Sequence, residues 1–280
     1  MRLGLGSYGF AWAIGVPGFP VRTPLDAFGL VARAVEWGLD LVQIADNLPL
    51  DQMTPNELAS LGARAEHDRV SLEVGMRGLR EEAVARYLEI ARRLGSPILR
   101  AVIDASGFEP APEEIVAILR RLVPALERSG VTLAIENHDR FPSANLAEMV
   151  RAAGSSRVGV CLDTVNSFGA LEGPAVVVET LGPLTVNLHL KDFTVRRADH
   201  KMGFAVEGMP AGRGRLDVPW LLRRLRAMGR DPNAILELWV SPEEDVERTV
   251  AKELLWAEQS LSYLRPLFPA RIISRSFPPP

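Results

Sequence analysis

Short apolar runs alternate with longer stretches in which apolar residues recur every three or four positions, and this pairing repeats from residue 2 to residue 263. The short runs predict strands at 2–7, 39–45, 70–75, 97–103, 131–136, 157–163, 185–191 and 233–240. The amphipathic stretches predict helices at 24–37, 55–67, 80–94, 112–128, 143–153, 174–181, 218–228 and 243–263. Local punctuation agrees. Thr54 with Glu57 three positions on is a capping-box pair, Asp217 is placed to cap the next-to-last helix, and Gly38, Gly95 and Gly130 follow helix ends. Strands that read as near-continuous apolar runs, each followed by a helix, predict a parallel sheet covered on both sides. An open doubly wound sheet satisfies the same order, but eight repeats favour closure into a single (β/α)8 barrel over residues 1–264.

Residues 265–280 hold Pro266, Pro269 and a terminal triple proline; they are read as a tail that leaves the last helix and crosses the surface or reaches a second subunit. The longest segments without a predicted element, at 9–23, 45–54 and 193–216, all follow strands, which in a barrel puts them over one mouth.

Four polar residues stand where predicted strands end: Glu136 in VTLAIE, Asp163 in VGVCLD, His189 in TVNLHL and Glu237 in NAILE. They belong to four consecutive strands of a barrel. Side chains alternate along a strand, so Glu136 shares a face with Ala134 and Asp163 with Cys161. Three carboxylates converging in a buried mouth repel one another and lose hydration unless a cation holds them. One divalent metal ion is therefore expected on Glu136, Asp163, His189 and Glu237. An oxygen-rich set with one nitrogen suits Mn2+ first, then Mg2+ or Co2+, with Zn2+ competing by raw affinity.

Composition closes other routes. Cys161 is the only cysteine, which removes intrachain disulfides and sulfur-rich metal sites. Thirty-two basic against 35 acidic side chains give a formal net charge of −3, so nucleic acid and anionic membranes gain no bulk attraction. The glycine-broken amino terminus does not read as a signal peptide, and a cytoplasmic location is expected.

Several further residues belong to the expected mouth. Lys191, two positions beyond His189, shares its face and either contacts substrate or pairs with Asp192. His138 follows Glu136 by two and is read as a proton carrier or a hydrogen-bonding neighbour of the centre. Trp12, Arg100, Asn166 and Arg213 are candidate substrate contacts, the arginines forming a cationic rim for a sugar acid or sugar phosphate. GLGSYG at 4–9 has neither the spacing nor the following helix of a dinucleotide site.

The motifs IEN at 135–137, LDTVN at 162–166, HLKD at 189–192, GRGRLD at 212–217 and ILE at 235–237 resemble the xylose isomerase-like barrels of the sugar phosphate isomerase/epimerase group. The resemblance covers most of the chain. It implies metal ligation by Glu136, Asp163, His189 and Glu237, and in the epimerases of that group the two glutamates also move the substrate proton. Two positions depart from those epimerases: Asn166 stands where they carry a histidine, and Val195 where they carry an arginine, although Arg196 and Arg197 are adjacent.

The leading expectation is an isomerase or epimerase acting on a small keto-sugar or keto-polyol through an enediolate, with Glu136, Glu237, Lys191 and His138 as its catalytic groups. The alternative is a lyase that decarboxylates a 3-oxo sugar acid, such as 3-oxo-isoapionate, or dehydrates a keto-polyol; the missing histidine and the expected cationic rim favour it. A histidine-rich DNA-repair endonuclease of the same superfamily fits poorly with four histidines in the whole chain. A non-catalytic sugar-binding protein is the remaining class. A small-molecule partner and a symmetric homodimer are expected.

Overall fold

The computed structural model describes residues 1–268. Eight parallel strands close into a barrel: β1 (Leu3–Gly6), β2 (Leu41–Ile44), β3 (Ser71–Arg77), β4 (Ile98–Val102), β5 (Thr132–Glu136), β6 (Val158–Asp163), β7 (Thr185–Leu190) and β10 (Asn233–Leu236). Each pairs with its neighbours in sequence order, and β10 closes the ring against β1 through Leu3↔Ala234 and Leu5↔Leu236. The helices α2 (Ala27–Glu36), α3 (Pro55–His67), α4 (Glu81–Arg93), α5 (Pro112–Ser129), α6 (Ser143–Ala152), α7 (Pro174–Leu181), α8 (Val218–Ala227) and α9 (Val246–Leu264) follow the barrel strands in turn. The barrel expectation holds. So do the capping box at Thr54 and Glu57 and the Asp217 cap on Trp220 N.

Strand alternation sorts the side chains. Leu133 and Ile135 of β5 join the large core packed under the helices, whereas Ala134 joins a separate small cluster with Ile98 and Cys161. The same parity carries Arg100, Glu136 and Asp163 into the barrel.

Two features depart from the sequence reading. Residues 193–216, expected as a loop, contain an antiparallel ribbon of β8 (Asp192–Arg197) and β9 (Phe204–Met209), tied across by Arg196 to Glu207 at 2.9 Å. The ribbon stands outside the barrel sheet, so it buries no regular face and its period-two pattern is weak: Phe204 and Met202 are exposed. The segment after β1 also folds, into a 3-10 turn at Ser7–Phe10 and the short helix α1 (Ala11–Ile14). The expected tail is described only as far as Phe268, which packs against the core; residues 269–280 lie outside the described residues. Among the described residues, no helix is long and apolar enough to cross a membrane.

Candidate metal centre

Glu136 and Asp163 are the last residues of β5 and β6, His189 is next to last in β7, and Glu237 directly follows β10. All four are buried. His189 Nδ1 is the hub: it lies 3.4 Å from Glu136 Oε2, 3.4 Å from Glu237 Oε2 and 3.8 Å from Asp163 Oδ2. Donors on a tetrahedral ion with bonds of about 2.1 Å sit roughly 3.4 Å apart. His189 Nδ1 keeps that spacing to Glu136 and Glu237, and Asp163, His189 and Glu237 converge as one group of possible ligands.

Asp163 and His189 are each held at one end and open at the other. Asp163 Oδ1 accepts from Val165 N and Asn166 N, both at 2.8 Å. Asn137 fixes the same turn, donating to Asp163 O at 2.9 Å while its carbonyl accepts from Asp163 N at 2.7 Å. His189 Nε2 meets Gln43 Oε1 at 2.6 Å, so Nε2 carries the proton and Nδ1 presents a lone pair. Of the inward ends, His189 Nδ1 and Glu237 Oε1 are buried without a hydrogen-bond partner, and Asp163 Oδ2 and Glu237 Oε2 meet only the ammonium of Lys191 at 2.8 Å. Buried polar atoms are seldom left so. A single divalent cation fits these donors.

Glu136 is treated differently. Its Oε1 accepts from Asn166 Nδ2 at 2.7 Å, and its Oε2 accepts from Arg100 Nε. Burial alone favours the neutral acid, but Arg100, with Lys191 behind it, outweighs burial and holds the carboxyl well below the usual range. Arg100 is sealed in the wall, bonded also to Asp46 Oδ1 at 2.8 Å. Asp46 in turn accepts from Tyr8 and Arg77.

A second grouping, Glu136, Cys161 and His189, also converges. Burial and then Glu136 push the Cys161 thiol well above its ordinary value, and its S–H meets Asn187 Oδ1 at 3.4 Å. The thiol is already engaged by Asn187, and hard divalent ions prefer oxygen, so the carboxylate set is the better donor group.

Lys191 Nζ lies 2.8 Å from both Asp163 Oδ2 and Glu237 Oε2. Burial disfavours its charge, but Asp163 and Glu237 raise it well above the ordinary lysine value, so the ammonium persists. Asp192 is not its partner. That carboxylate is spent on the backbone amides of Gly212, Gly214 and Leu216. A Cβ on Gly214 would sit 2.2 Å from Asp192 Oδ1, which is why a glycine occupies this turn.

Above the cluster lies a cavity of about 640 Å³. Tyr8, Trp12, His138, Asn166, Phe168, Lys191 and Trp239 line it, and of the buried cluster only Lys191 does. Trp12 is fixed by its indole N–H to Val240 O at 2.9 Å, and its backbone N–H reaches the Glu253 carboxylate on α9. His138 lines the cavity but engages Asp139 Oδ1 at 2.5 Å rather than the centre. The cationic rim does not form at the lining: Arg100 is sealed, Arg140 pairs with Asp104, and Arg213 is exposed elsewhere.

Sequence reasoning missed the layer below. Gln43 of β2, Glu73 of β3 and Asn187 of β7 are buried polar residues within apolar strands, a signal like the one that marked the ligand candidates. It also missed Gly6, where a Cβ would lie 2.9 Å from Glu237 Cγ.

Comparison with known proteins agrees with this architecture. The profile of the xylose isomerase-like TIM barrel family matches residues 31–267. A 3-oxo-isoapionate decarboxylase of Pectobacterium atrosepticum is 33% identical over 264 residues, spanning 94% of this chain and 95% of that protein. D-psicose 3-epimerase from Clostridium cellulolyticum H10, solved with D-tagatose, superposes with a TM-score of 0.72 at 17% identity, over 96% of this chain and 100% of that one. A xylose isomerase-like TIM barrel protein from Mycobacterium smegmatis in complex with magnesium superposes with a TM-score of 0.66 at 13% identity, over 94% and 97% of the two chains. The chain belongs to the xylose isomerase-like TIM barrel family, and it is a metal-associated enzyme.

Proposed function

We propose that the protein is a metal-dependent lyase that decarboxylates a small, unphosphorylated 3-oxo sugar acid. The observation that carries this reading is the state of Glu136. Epimerisation by two bases needs a carboxylate on each face of the substrate carbon, each free to take or give a proton. Glu136 has both oxygens engaged by Asn166 and Arg100. Glu237 Oε1 has no hydrogen-bond partner, and its Oε2 meets only the Lys191 ammonium at 2.8 Å. The pair is too unequal for a two-base shuttle, and a reaction that needs one proton delivered once suits it better.

The 33% identity to a 3-oxo-isoapionate decarboxylase along nearly the whole chain supports the same reading. So does the cavity. Its lining sets Lys191 and His138 beside the carboxylates of Asp139 and Glu253 and has no guanidinium, which leaves too little positive charge for a phosphate and suits a single carboxylate better.

Glu136, Asp163, His189 and Glu237 would hold the ion. When bound, a divalent cation supplies Lewis-acid polarisation of the substrate carbonyl. The bond between the carboxylate carbon and the carbon beside the ketone breaks, its electron pair passes toward the ketone oxygen as an enolate, and CO2 leaves. One proton taken up at carbon completes the ketone product. Lys191 supplies a fixed cation for the oxygen on which charge develops. Trp12, Val165, Phe168 and Leu238 give the reacting carbon an apolar wall.

The test is to incubate the Mn2+-loaded enzyme with 3-oxo sugar acids and, separately, with free ketoses in D2O. The expected outcome is one CO2 per acid consumed and no solvent deuterium entering recovered ketose. Ketose epimerisation with deuterium uptake, and no CO2 from any acid, would reverse the assignment.

A further inference from the structure

Beneath the ligands, a chain of amides joins His189 to a carboxylate that touches neither the cavity nor the centre. Glu73 is 1% exposed and accepts three side-chain amides: Gln43 Nε2 at 3.0 Å and Asn187 Nδ2 at 2.8 Å on Oε2, and Asn233 Nδ2 at 2.8 Å on Oε1. The barrel register builds this layer, because Gln43 pairs with Glu73 across β2–β3 and Asn187 with Asn233 across β7–β10. We propose that Glu73 is a positioning residue that sets which nitrogen of His189 carries the proton.

The direction of every bond follows from what each atom can do. A carboxylate only accepts, so the three groups facing Glu73 present N–H. Gln43 spends its two N–H bonds on Glu73 Oε2 and, at 2.9 Å, on Asn187 Oδ1. Its carbonyl oxygen is therefore turned to His189, 2.6 Å from Nε2. That oxygen only accepts, so Nε2 holds the proton. Nδ1 is left with its lone pair among Glu136, Asp163 and Glu237, and it has no hydrogen-bond partner.

Without the carboxylate, Gln43 and Asn187 gain a second arrangement. Both amides invert, Asn187 N–H meets the Gln43 carbonyl, and the Gln43 N–H faces His189. The ring then accepts on Nε2 and carries its proton on Nδ1, aimed at the ligand carboxylates and unable to bind a cation. Glu73 removes that alternative because two N–H groups already converge on its Oε2. The relay also accounts for a buried charge that the proposed chemistry does not otherwise use.

The role rests on reading His189 as a ligand, and the test separates the two ideas. Long-range 1H–15N spectra of the imidazoles are recorded on metal-free protein at a pH where the ring is neutral, for wild type, Glu73→Gln and Glu73→Met. Binding of Mn2+ and Zn2+ to each is measured by calorimetry. Wild type is expected with the His189 proton on Nε2. Glu73→Met is expected to show a substantial population with the proton on Nδ1 and at least tenfold weaker metal binding, the usual range for a supporting partner being about 10–100-fold. Glu73→Gln, which keeps one carbonyl acceptor, falls between them. A wild-type proton on Nδ1 overturns the proposal, as does a folded Glu73→Met with the wild-type tautomer or metal affinity within twofold. Where Glu73→Met does not fold, the wild-type spectrum and Glu73→Gln decide. If wild type binds no metal, the ligand reading of His189 fails, while the tautomer comparison still tests the relay.

Discussion

Asn166 donates its side-chain amide to Glu136 Oε1 at 2.7 Å. Its backbone N–H simultaneously holds Asp163 Oδ1 at 2.8 Å, so one residue aligns two of the proposed ligands. With Arg100 on the other oxygen, Glu136 is fixed in orientation and charge before any substrate arrives.

Asn166→Ala removes one hydrogen bond to a buried charged group, a change worth about 1.5–3 kcal/mol. The expected outcome is a loss of roughly 10–150-fold in kcat/KM with about one metal ion per chain retained. Steady-state kinetics and elemental analysis on the same preparation check both halves. Loss of metal along with activity would make Asn166 a scaffold for ligation rather than for Glu136 alone.

Arg100→Met leaves Glu136 without its cation partner and weakens the hold on Asp46. Breaking one side of a buried ion pair costs about 3–5 kcal/mol. Urea unfolding of the metal-free variant should show a loss of that order. A loss below about 1 kcal/mol would mean that the carboxylate takes up a proton, or finds water, at little cost.

Gly6 makes room for Glu237. A Cβ there would lie 2.8 Å from Ile235 Cγ2 and 2.9 Å from Glu237 Cγ, distances that require movement. Gly6→Ala is expected to weaken metal binding at least tenfold by shifting Glu237, at a stability cost of about 1–3 kcal/mol. Calorimetry against Mn2+ beside a thermal melt separates the two effects.

The barrel was legible because its signal repeats: strand after strand is buried throughout, and each helix returns an apolar face. The ribbon of β8 and β9 was not, since a two-stranded element outside the main sheet carries no such repetition and its residues 196–201 read as a charged loop. Glu136, Asp163, His189 and Glu237 stood out as polar residues ending apolar runs. Arg100 sits one strand earlier, in the middle of an apolar run, and a sequence does not tell whether a cation turns to the cavity or to a neighbouring carboxylate. Gln43, Glu73 and Asn187 interrupt their strands more deeply, where a polar residue looks incidental until its partners on other strands are known.

Glu253 gives stability a pH dependence. Its carboxylate is buried and accepts from Trp12 N at 2.9 Å and Ala13 N at 3.0 Å; burial outweighs those two bonds and pushes it up from 4.5 to about 7. Between those values the folded protein holds a proton that the unfolded chain has released. Stability from this group is therefore present below about pH 4.5, falls as pH rises through about 7, and is lost above it, by about 3 kcal/mol in all. Urea unfolding across that window should show the decline in wild type and a flatter profile in Glu253→Gln.

Lys191 bears most directly on the reaction. It is the one member of the buried cluster that reaches the cavity, and it arrives charged because Asp163 and Glu237 face it at 2.8 Å. Lys191→Met keeps much of the stem and removes the charge, leaving all four proposed ligands in place. Two carboxylates that lose a competing cation hold a metal at least as well, so Mn2+ affinity should be unchanged or higher. The oxygen on which charge develops loses a preorganised cation, worth about 2–4 kcal/mol, which is a fall of roughly 30–1,000-fold in kcat/KM. If the lysine stabilises the enolate formed as CO2 departs, the loss persists at saturating substrate and appears in kcat. If it only anchors the substrate carboxylate, the loss appears in KM and kcat is kept. Wild-type kcat/KM in the metal-loaded variant would remove Lys191 from the reaction and leave it a counter-charge for Asp163 and Glu237.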